Sequence, residues 1–306
     1  MSNKILLGID HGYNCIKSEN FCFPSAISRR ETLPDDKKGI LEYNNYIFDE
    51  NGEHILETEN QDKTTNQDFY LLTLFSIAKE LSFKNINDAD VSLAVGLPQK
   101  YYDRQKDSFK EYLLKNSDKN IYFKYEGNSF NIRIKDVKVF SQGFAALLTA
   151  DTIDLVKSSC CVVDIGGGTV DIIPISNGMI QASKCKIDKY ASNQLQRNLI
   201  EAVSVETYEN VDEYFIVNYI KKYTHEVPPS NEYEEILQRE LCSYTEYIYQ
   251  LIKKSGINPK ITPVIFIGGG AVIMKHFSVK EYGRTKYITD LKANAKGFKK
   301  LYQITA

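Results

Sequence analysis

A two-lobed α/β protein is the fold class that this sequence predicts, and three observations carry the prediction. A strand–glycine turn–strand pattern occurs near the start, "KILLGID" then "HGYN" then "CIKSENFCF", and again at residues 162–172 as "VVDIGGGTVDI". Apolar runs at helical spacing alternate with short buried-strand runs between and after the two. The 306 residues, 42% of them hydrophobic, are generous for one core and natural for two.

Taken in order, the chain opens with a strand, a glycine turn and a second strand. The polar stretch 33–67 is expected to be a small peripheral excursion. "FYLLTLFSIAKEL" (69–81) has helical periodicity, and "VSLAVGLP" (91–98) is a buried strand stopped by Gly96 and Pro98. "YYDRQKDSFKEYLLKN" reads as an amphipathic helix, and "IYFKYEGNSFNIRIKDVKVF" as a hairpin turning at 126–129. "SQGFAALLTADTIDLV" is expected to be a helix. After the second glycine turn, residues 187–257 read mostly as helices, "PVIFIGGGAVI" (263–273) as a strand entering a third glycine turn, and 290–301 as a closing helix. The expected lobes are 1–150, with residues 290–306 packing back on it, and 151–289.

One internal echo supports two related halves. At an offset of 154 positions, "DHGYNCIK" (10–17) lies over "DIGGGTVD" (164–171), matching Asp10 with Asp164, Gly12 with Gly166 and Ile16 with Val170.

Composition narrows the function classes. The net charge is −2, from 38 Lys and Arg against 40 Asp and Glu, so no global basic field holds nucleic acid directly. The six cysteines form no CxxC pair and no metal-ligand spacing, and read as small buried residues of a reducing compartment. With no run near 20 apolar residues and no signal-like start, a cytoplasmic location away from membranes is expected.

A glycine turn between strands lets backbone N–H groups converge on phosphate oxygens, because no side chain blocks the approach. Two such turns would clamp one polyphosphate. Asp10 and Asp164, ending the strands that lead into them, then stand where a hydrated Mg²⁺ bridges to phosphate, and Lys17 adds a point charge. The third turn, Gly268, Gly269 and Gly270, lacks a second aspartate and suits close approach to a flat nucleoside. The GxGxxG and GxxxxGK[ST] fingerprints are absent.

The set resembles the actin-like ATPase superfamily, with a duplicated, ribonuclease-H-like fold and a nucleotide cleft between lobes. "GIDHGYNCIK", "FSQGFAALLTA", "VVDIGGGTVDI", "VIFIGGGAVIM" and "ANAKGFKKL" match its five motifs in order, from end to end. "LTLFSIAKEL", "LAVGLPQKYY" and "FSQGFAAL" look like the bacterial ParM-type proteins that segregate plasmids. His11 and Tyr13 stand where the family commonly has small residues.

That resemblance implies slow ATP hydrolysis with Mg²⁺ coupled to polymerisation, GTP being left open as the nucleotide. It also implies a head-to-tail filament of the chain with itself, and a ParR-like DNA-binding adaptor on a centromere-like plasmid site, with no direct nucleic-acid contact. Gly12, Tyr13, Asn14 and Lys17, with Gly166, Gly167, Gly168 and Thr169, would hold phosphate, and Gly268, Gly269, Gly270, Lys221 and Lys222 the adenosine. Asp164 would polarise the attacking water, which Gln142 aligns. Gln142 orients water but is a poor proton acceptor, which favours hydrolysis over the alternative, a small-molecule kinase or phosphatase on the same fold. His11 is expected to pack the first turn or lie near the phosphates rather than act as a base.

Overall fold

The computed structural model describes residues 3–50, 62–65, 67–150, 159–280 and 282–305. It divides into two compact units, Met1–Thr149 with Lys292–Ala306, and Ala150–Leu291.

The first unit holds strands β1 (Asn3–His11), β2 (Cys15–Lys17), β3 (Cys22–Pro24), β4 (Ser28–Arg30), β5 (Ile40–Tyr43) and β6 (Tyr46–Asp49). Helix α1 (Asp68–Phe83), β7 (Asp88–Leu97), α2 (Gln99–Leu114), β8 (Ile121–Tyr125) and β9 (Asn128–Ser141) follow. The strands form one sheet in the order β3-β2-β1-β7-β9-β8-β5-β6-β4. β1, β7 and β9 run parallel, so their carboxyl ends share an edge, and this brings Asp10 and Gln142 together across 132 positions. In α1, 12 of the 16 residues are buried, which makes it a core helix rather than a surface one.

Two expectations are changed by this unit. The described part of the polar stretch 33–67 holds β5 and β6, which extend the sheet at its edge with Ile40 and Leu41 buried. The remainder, 51–61 and 66, lies outside the described residues. The helix expected at 141–156 is instead, in its described part, a turn and a 3-10 helix, Ala145–Thr149. Gly143 takes φ +80° there, a left-handed conformation that an α-helix cannot include. Residues 151–158 of that expected helix lie outside the described residues.

The second unit holds β10 (Ser159–Ile165), β11 (Val170–Ser176), β12 (Met179–Ile180), β13 (Lys186–Asp188), α3 (Ser192–Thr207), α4 (Glu213–Lys222), α5 (Glu232–Lys254), β14 (Val264–Ile267), α6 (Ala271–Phe277) and β15 (Thr285–Ile288). Its sheet runs β12-β11-β10-β14-β15, with β13 on β11. The closing helix α7 (Ala293–Ile304) belongs to the first unit, seated where Gly8 and Gly96 leave the sheet bare. A Cβ on Gly8 would stand 2.0 Å from the Ala295 carbonyl oxygen, and one on Gly96 2.0 Å from the Phe298 ring.

The two sheets repeat one plan. The orders β3-β2-β1-β7-β9 and β12-β11-β10-β14-β15 are each three antiparallel strands followed by two parallel ones. The ladder pairs Asp10↔Lys17 and His11↔Ile16 recur as Asp164↔Asp171 and Ile165↔Val170. Each position shifts by the same 154 residues as the sequence echo, so the echo is a shared hairpin register.

Candidate functional site

Parallel strands gather their carboxyl ends at one edge, where connecting turns are free of the core and ligands bind in open α/β sheets. Both aspartates and all three glycine turns lie at such edges, in their respective units.

In the first unit, Asp10 ends β1 and is only 4% exposed. Gln142 Nε2 donates to its Oδ1 at 2.7 Å, and Lys17 Nζ stands 3.5 Å from its Oδ2. Lys17 faces Asp10 across the β1–β2 ladder, and its ammonium lies over the turn, 2.9 Å from where a Gly12 Cβ would be. The same Cβ would meet the Cys15 carbonyl oxygen at 2.7 Å, so only glycine fits. Ser25 fixes the turn from outside: its Oγ donates to the Gly12 carbonyl at 2.5 Å and its N–H to the Asn14 carbonyl at 2.9 Å. Asn14 is exposed and Tyr13 half-buried, its ring edge-on to Phe69.

His11 is fully buried behind this turn. Its Nε2 donates to Thr73 Oγ1 at 2.8 Å, because the Thr73 hydroxyl proton is committed to the Phe69 carbonyl at 2.7 Å. Burial, with the Lys63 charge adding to it, holds the imidazole well below its ordinary range, so the ring is neutral. Lys63 Nζ in turn donates to the His11 carbonyl at 2.5 Å. The ring packs edge-on to Phe69 and Phe109, the arrangement of a packing residue rather than a base.

In the second unit, Asp164 ends β10 and the turn 166–169 follows. Its carbonyls are held by the start of α3: Ser192 donates to the Gly166 oxygen from N at 3.1 Å and from Oγ at 2.8 Å, and Asn193 N donates to the Gly167 oxygen at 3.0 Å. Among the described residues the Gly167 and Gly168 N–H groups make no hydrogen bond. They are thus the donors available to an anion. A Cβ at Gly166 would meet nothing closer than 3.5 Å, so the fold does not itself demand glycine there. Thr169 Oγ1 donates to Asp171 Oδ2 at 2.9 Å and closes the hairpin.

The third turn packs on the second. Gly268 has φ +81°, and a Cβ on it would lie 2.7 Å from Asp164 Oδ1; one on Gly270 would lie 2.1 Å from Ile165 Cγ2. Those two glycines are required by packing, whereas Gly269 meets only Leu291, at 3.6 Å.

Lys221 and Lys222 are not brought to this turn. His276, near the carboxyl end of α6, donates from Nδ1 to the Ile220 carbonyl at 2.9 Å, so the last turn of α4 sits at that end. Gly270 precedes the other end of α6, about 9 Å along the axis at 1.5 Å per residue. Both lysines are exposed in the last turn of α4, where they complement its dipole.

Sequence reasoning misses several supports. Glu80 is fully buried in α1 and accepts from Ser18 Oγ at 2.6 Å and from Asn20 N and Nδ2, both at 2.8 Å, which fixes the β2–β3 turn. A glutamate in an amphipathic pattern reads as solvated, and nothing local distinguishes it. Asn294 of α7 likewise accepts from Gly143 N at 2.9 Å, holding the segment that carries Gln142.

No group of three or more His, Cys, Asp or Glu able to cage a metal occurs among the described residues. The first and second turns each follow one strand-end carboxylate, Asp10 and Asp164, and the oxygens of Asp10 are already engaged by Gln142 and Lys17. That donor set fits a hydrated Mg²⁺ that keeps its waters and is held chiefly by phosphates. Among the described residues no helix is long and apolar enough to cross a membrane.

A family model described as actin-like proteins N-terminal domain matches residues 8–144, and one described as Alp7A C-terminal domain matches residues 159–299. No curated protein matches the sequence. Among solved structures, the archaeal actin homologue Ta0583 is 19% identical with a TM-score of 0.77, over 99% of this chain and 100% of that one. The pSK41 ParM protein without nucleotide is 19% identical with a TM-score of 0.75, over 99% and 98%. An Alp12 filament structure is 16% identical with a TM-score of 0.74, over 99% of each chain. The two family matches follow one another along the chain and together span most of it, and the chain therefore belongs to the actin-like proteins.

Proposed function

We propose that this protein binds a nucleoside triphosphate with Mg²⁺, assembles head to tail into filaments, and hydrolyses the nucleotide slowly. Plasmid DNA segregation through an adaptor is the cellular role this activity serves. The observation that carries the reading is the repeated hairpin: in each unit an aspartate ends a parallel-sheet strand and leads into a glycine turn, in one shared register.

On this reading Gly12, Tyr13, Asn14 and Lys17 serve phosphate from the first hairpin, and Gly166, Gly167, Gly168 and Thr169 from the second. Mg²⁺, when bound, neutralises charge on the phosphates; Asp10 and Asp164 would hold its water shell. Gln142, tethered to Asp10, turns its amide to align the attacking water, and Asp164 polarises it. Gly269 offers backbone to the adenosine, while Gly268 and Gly270 set the turn. Among solved relatives, Ta0583 has been determined in complex with ADP and a Bacillus thuringiensis ParM with AMPPNP. The near-neutral charge, −2 overall, supports an adaptor rather than direct contact with DNA.

A heterologous contact that does not close into a ring propagates as a filament. The test is light scattering with sedimentation in ATP, GTP, ADP or no nucleotide. Pelleting with triphosphate and Mg²⁺ alone is expected, with phosphate release following assembly. A soluble chain under all four conditions would refute the polymer and leave a small-molecule kinase as the reading to pursue.

A further inference from the structure

The outer face of the β2–β3 ribbon carries a cysteine pair that the nucleotide reading leaves unexplained. Ile16 and Phe23 point into the core from these strands, so Cys15 and Lys17 share the other face with Cys22 and Pro24. Cys22 lies directly across from Lys17 and diagonally from Cys15; it is exposed, whereas Cys15 is half-buried. The two thiols are close enough for each to shift the other's proton affinity, Cys15 upward and Cys22 downward. The cysteines expected from the sequence to be small buried residues therefore include a pair on an outer face, Cys22 exposed and Cys15 half-buried; Cys160 and Cys161 are the buried ones.

We infer that Cys15 and Cys22 form a peroxide-sensitive modification site, closing to a reversible disulfide that disturbs the first phosphate turn. Cys22 is the attacking thiol, being the exposed one and lying beside the Lys17 and Lys292 charges. The hydrogen bond from Cys15 is the main influence lowering it, to about 7. Its thiolate sulfur attacks one peroxide oxygen, the O–O bond breaks, and the departing hydroxide takes up a proton as water, leaving a sulfenic acid. The Cys15 sulfur then attacks the Cys22 sulfur and loses its proton; the S–O bond breaks and a second water leaves. Two thiols and one hydrogen peroxide thus give one disulfide and two waters.

Diagonal positions in an antiparallel pair are about 7–8 Å apart between Cα atoms, and a disulfide spans at most about 6.8 Å. The strands must shift to close the bond. β2 is a three-residue strand that carries Lys17, whose ammonium lies beside Asp10 and over Gly12. Oxidation therefore moves the charge that serves the phosphates. This second step rests on the nucleotide reading; the disulfide itself does not.

The test is brief treatment of the reduced full chain with hydrogen peroxide, alkylation of remaining thiols, and peptide mapping by mass spectrometry. A Cys15–Cys22 cross-linked peptide that dithiothreitol reverses is expected, and dimedone should label Cys22 in Cys15→Ser. Recovery of both thiols as freely alkylated as those of Cys185 and Cys242 would overturn the site. Affinity for a fluorescent ATP analogue is then compared in the two forms, with a loss of about 10-fold on oxidation expected for wild type and none for Cys22→Ser. Equal affinity in both forms would overturn the coupling while the disulfide stands. A reduced chain that binds no nucleotide would overturn the coupling together with the nucleotide reading, the peptide map being unaffected.

Discussion

Asp10 gives one carboxylate oxygen to Gln142 and sets the other beside Lys17, so three residues from three separate segments act as one polar cluster. Asp10→Ala removes the acceptor of the Gln142 amide and the charge beside Lys17, and a stability loss of about 1–3 kcal/mol is expected along with weaker Mg·ATP binding. Calorimetric titration of a variant with a native circular dichroism spectrum checks it; unchanged affinity would misplace the metal. Gln142→Ala keeps the carboxylate and the turns. Hydrolysis should slow by about 10-fold to 1,000-fold, or ~1.4–4 kcal/mol of transition-state stabilisation, with binding and assembly nearly intact. Wild-type phosphate release from that variant would assign the water elsewhere. His11 adds a pH dependence. Its folded-state value lies below the ordinary 6.5, so the unfolded chain binds the proton first. Its contribution to stability is complete above about pH 6.5 and declines as the pH falls from there toward the folded-state value. Urea midpoints of wild type and His11→Phe across pH 5–8 should diverge in slope only below that point.

The elements are positioned by close backbone approach, and glycine is the device. α7 lies on the first sheet only because Gly8 and Gly96 expose bare backbone, and Gly297 faces the 3-10 helix, where a Cβ would stand 2.0 Å from the Ala145 carbonyl oxygen. Gly96→Ala forces the Phe298 ring, which is fully buried, out of its seat. Overpacking of this kind costs about 1–3 kcal/mol, measurable as a lowered urea midpoint. The opposite sign is expected at Tyr208, which caps α3 at φ +60° with its N–H on the Ser204 carbonyl. The residue is 93% exposed, so Tyr208→Gly relieves the left-handed strain and should raise stability by about 1 kcal/mol. A lower melting temperature in that variant would show that the ring has a partner.

At the scale of the whole molecule, each unit has its own apolar core, one gathered on α1 and the nine-stranded sheet, the other on α3, α5 and the six-stranded sheet. The first unit is discontinuous: its chain leaves at Thr149 and returns at Lys292. A chain ending at Leu291 therefore lacks α7, uncovers the seat of Phe298 and frees Gly143 from Asn294. Hydrogen exchange should then show residues 3–149 losing protection while residues 159–280 keep theirs. Uniform loss across both units would mean that their stabilities are one.

Residues near in sequence fixed much of this protein. The alternation of strands and helices, the three glycine turns, the aspartates before two of them and the 154-residue echo follow from local patterns, because hairpin chemistry and periodicity are read over a few neighbours. The family resemblance rested on those same stretches. Tertiary structure decided the rest. Gln142 reaches Asp10 only because β1, β7 and β9 run parallel and end together, and Glu80 is a buried clamp only because α1 is covered on nearly all sides. Lys221 and Lys222 sit at the far end of α6 because helix packing set their depth. The Cys15–Cys22 pair, seven positions apart, exists because β2 and β3 fold back in one register. Sequence spacing carries no information about which strand ends share an edge or which faces meet. Those are settled when the cores close, where burial and close packing choose among many chain paths that local propensity leaves equal.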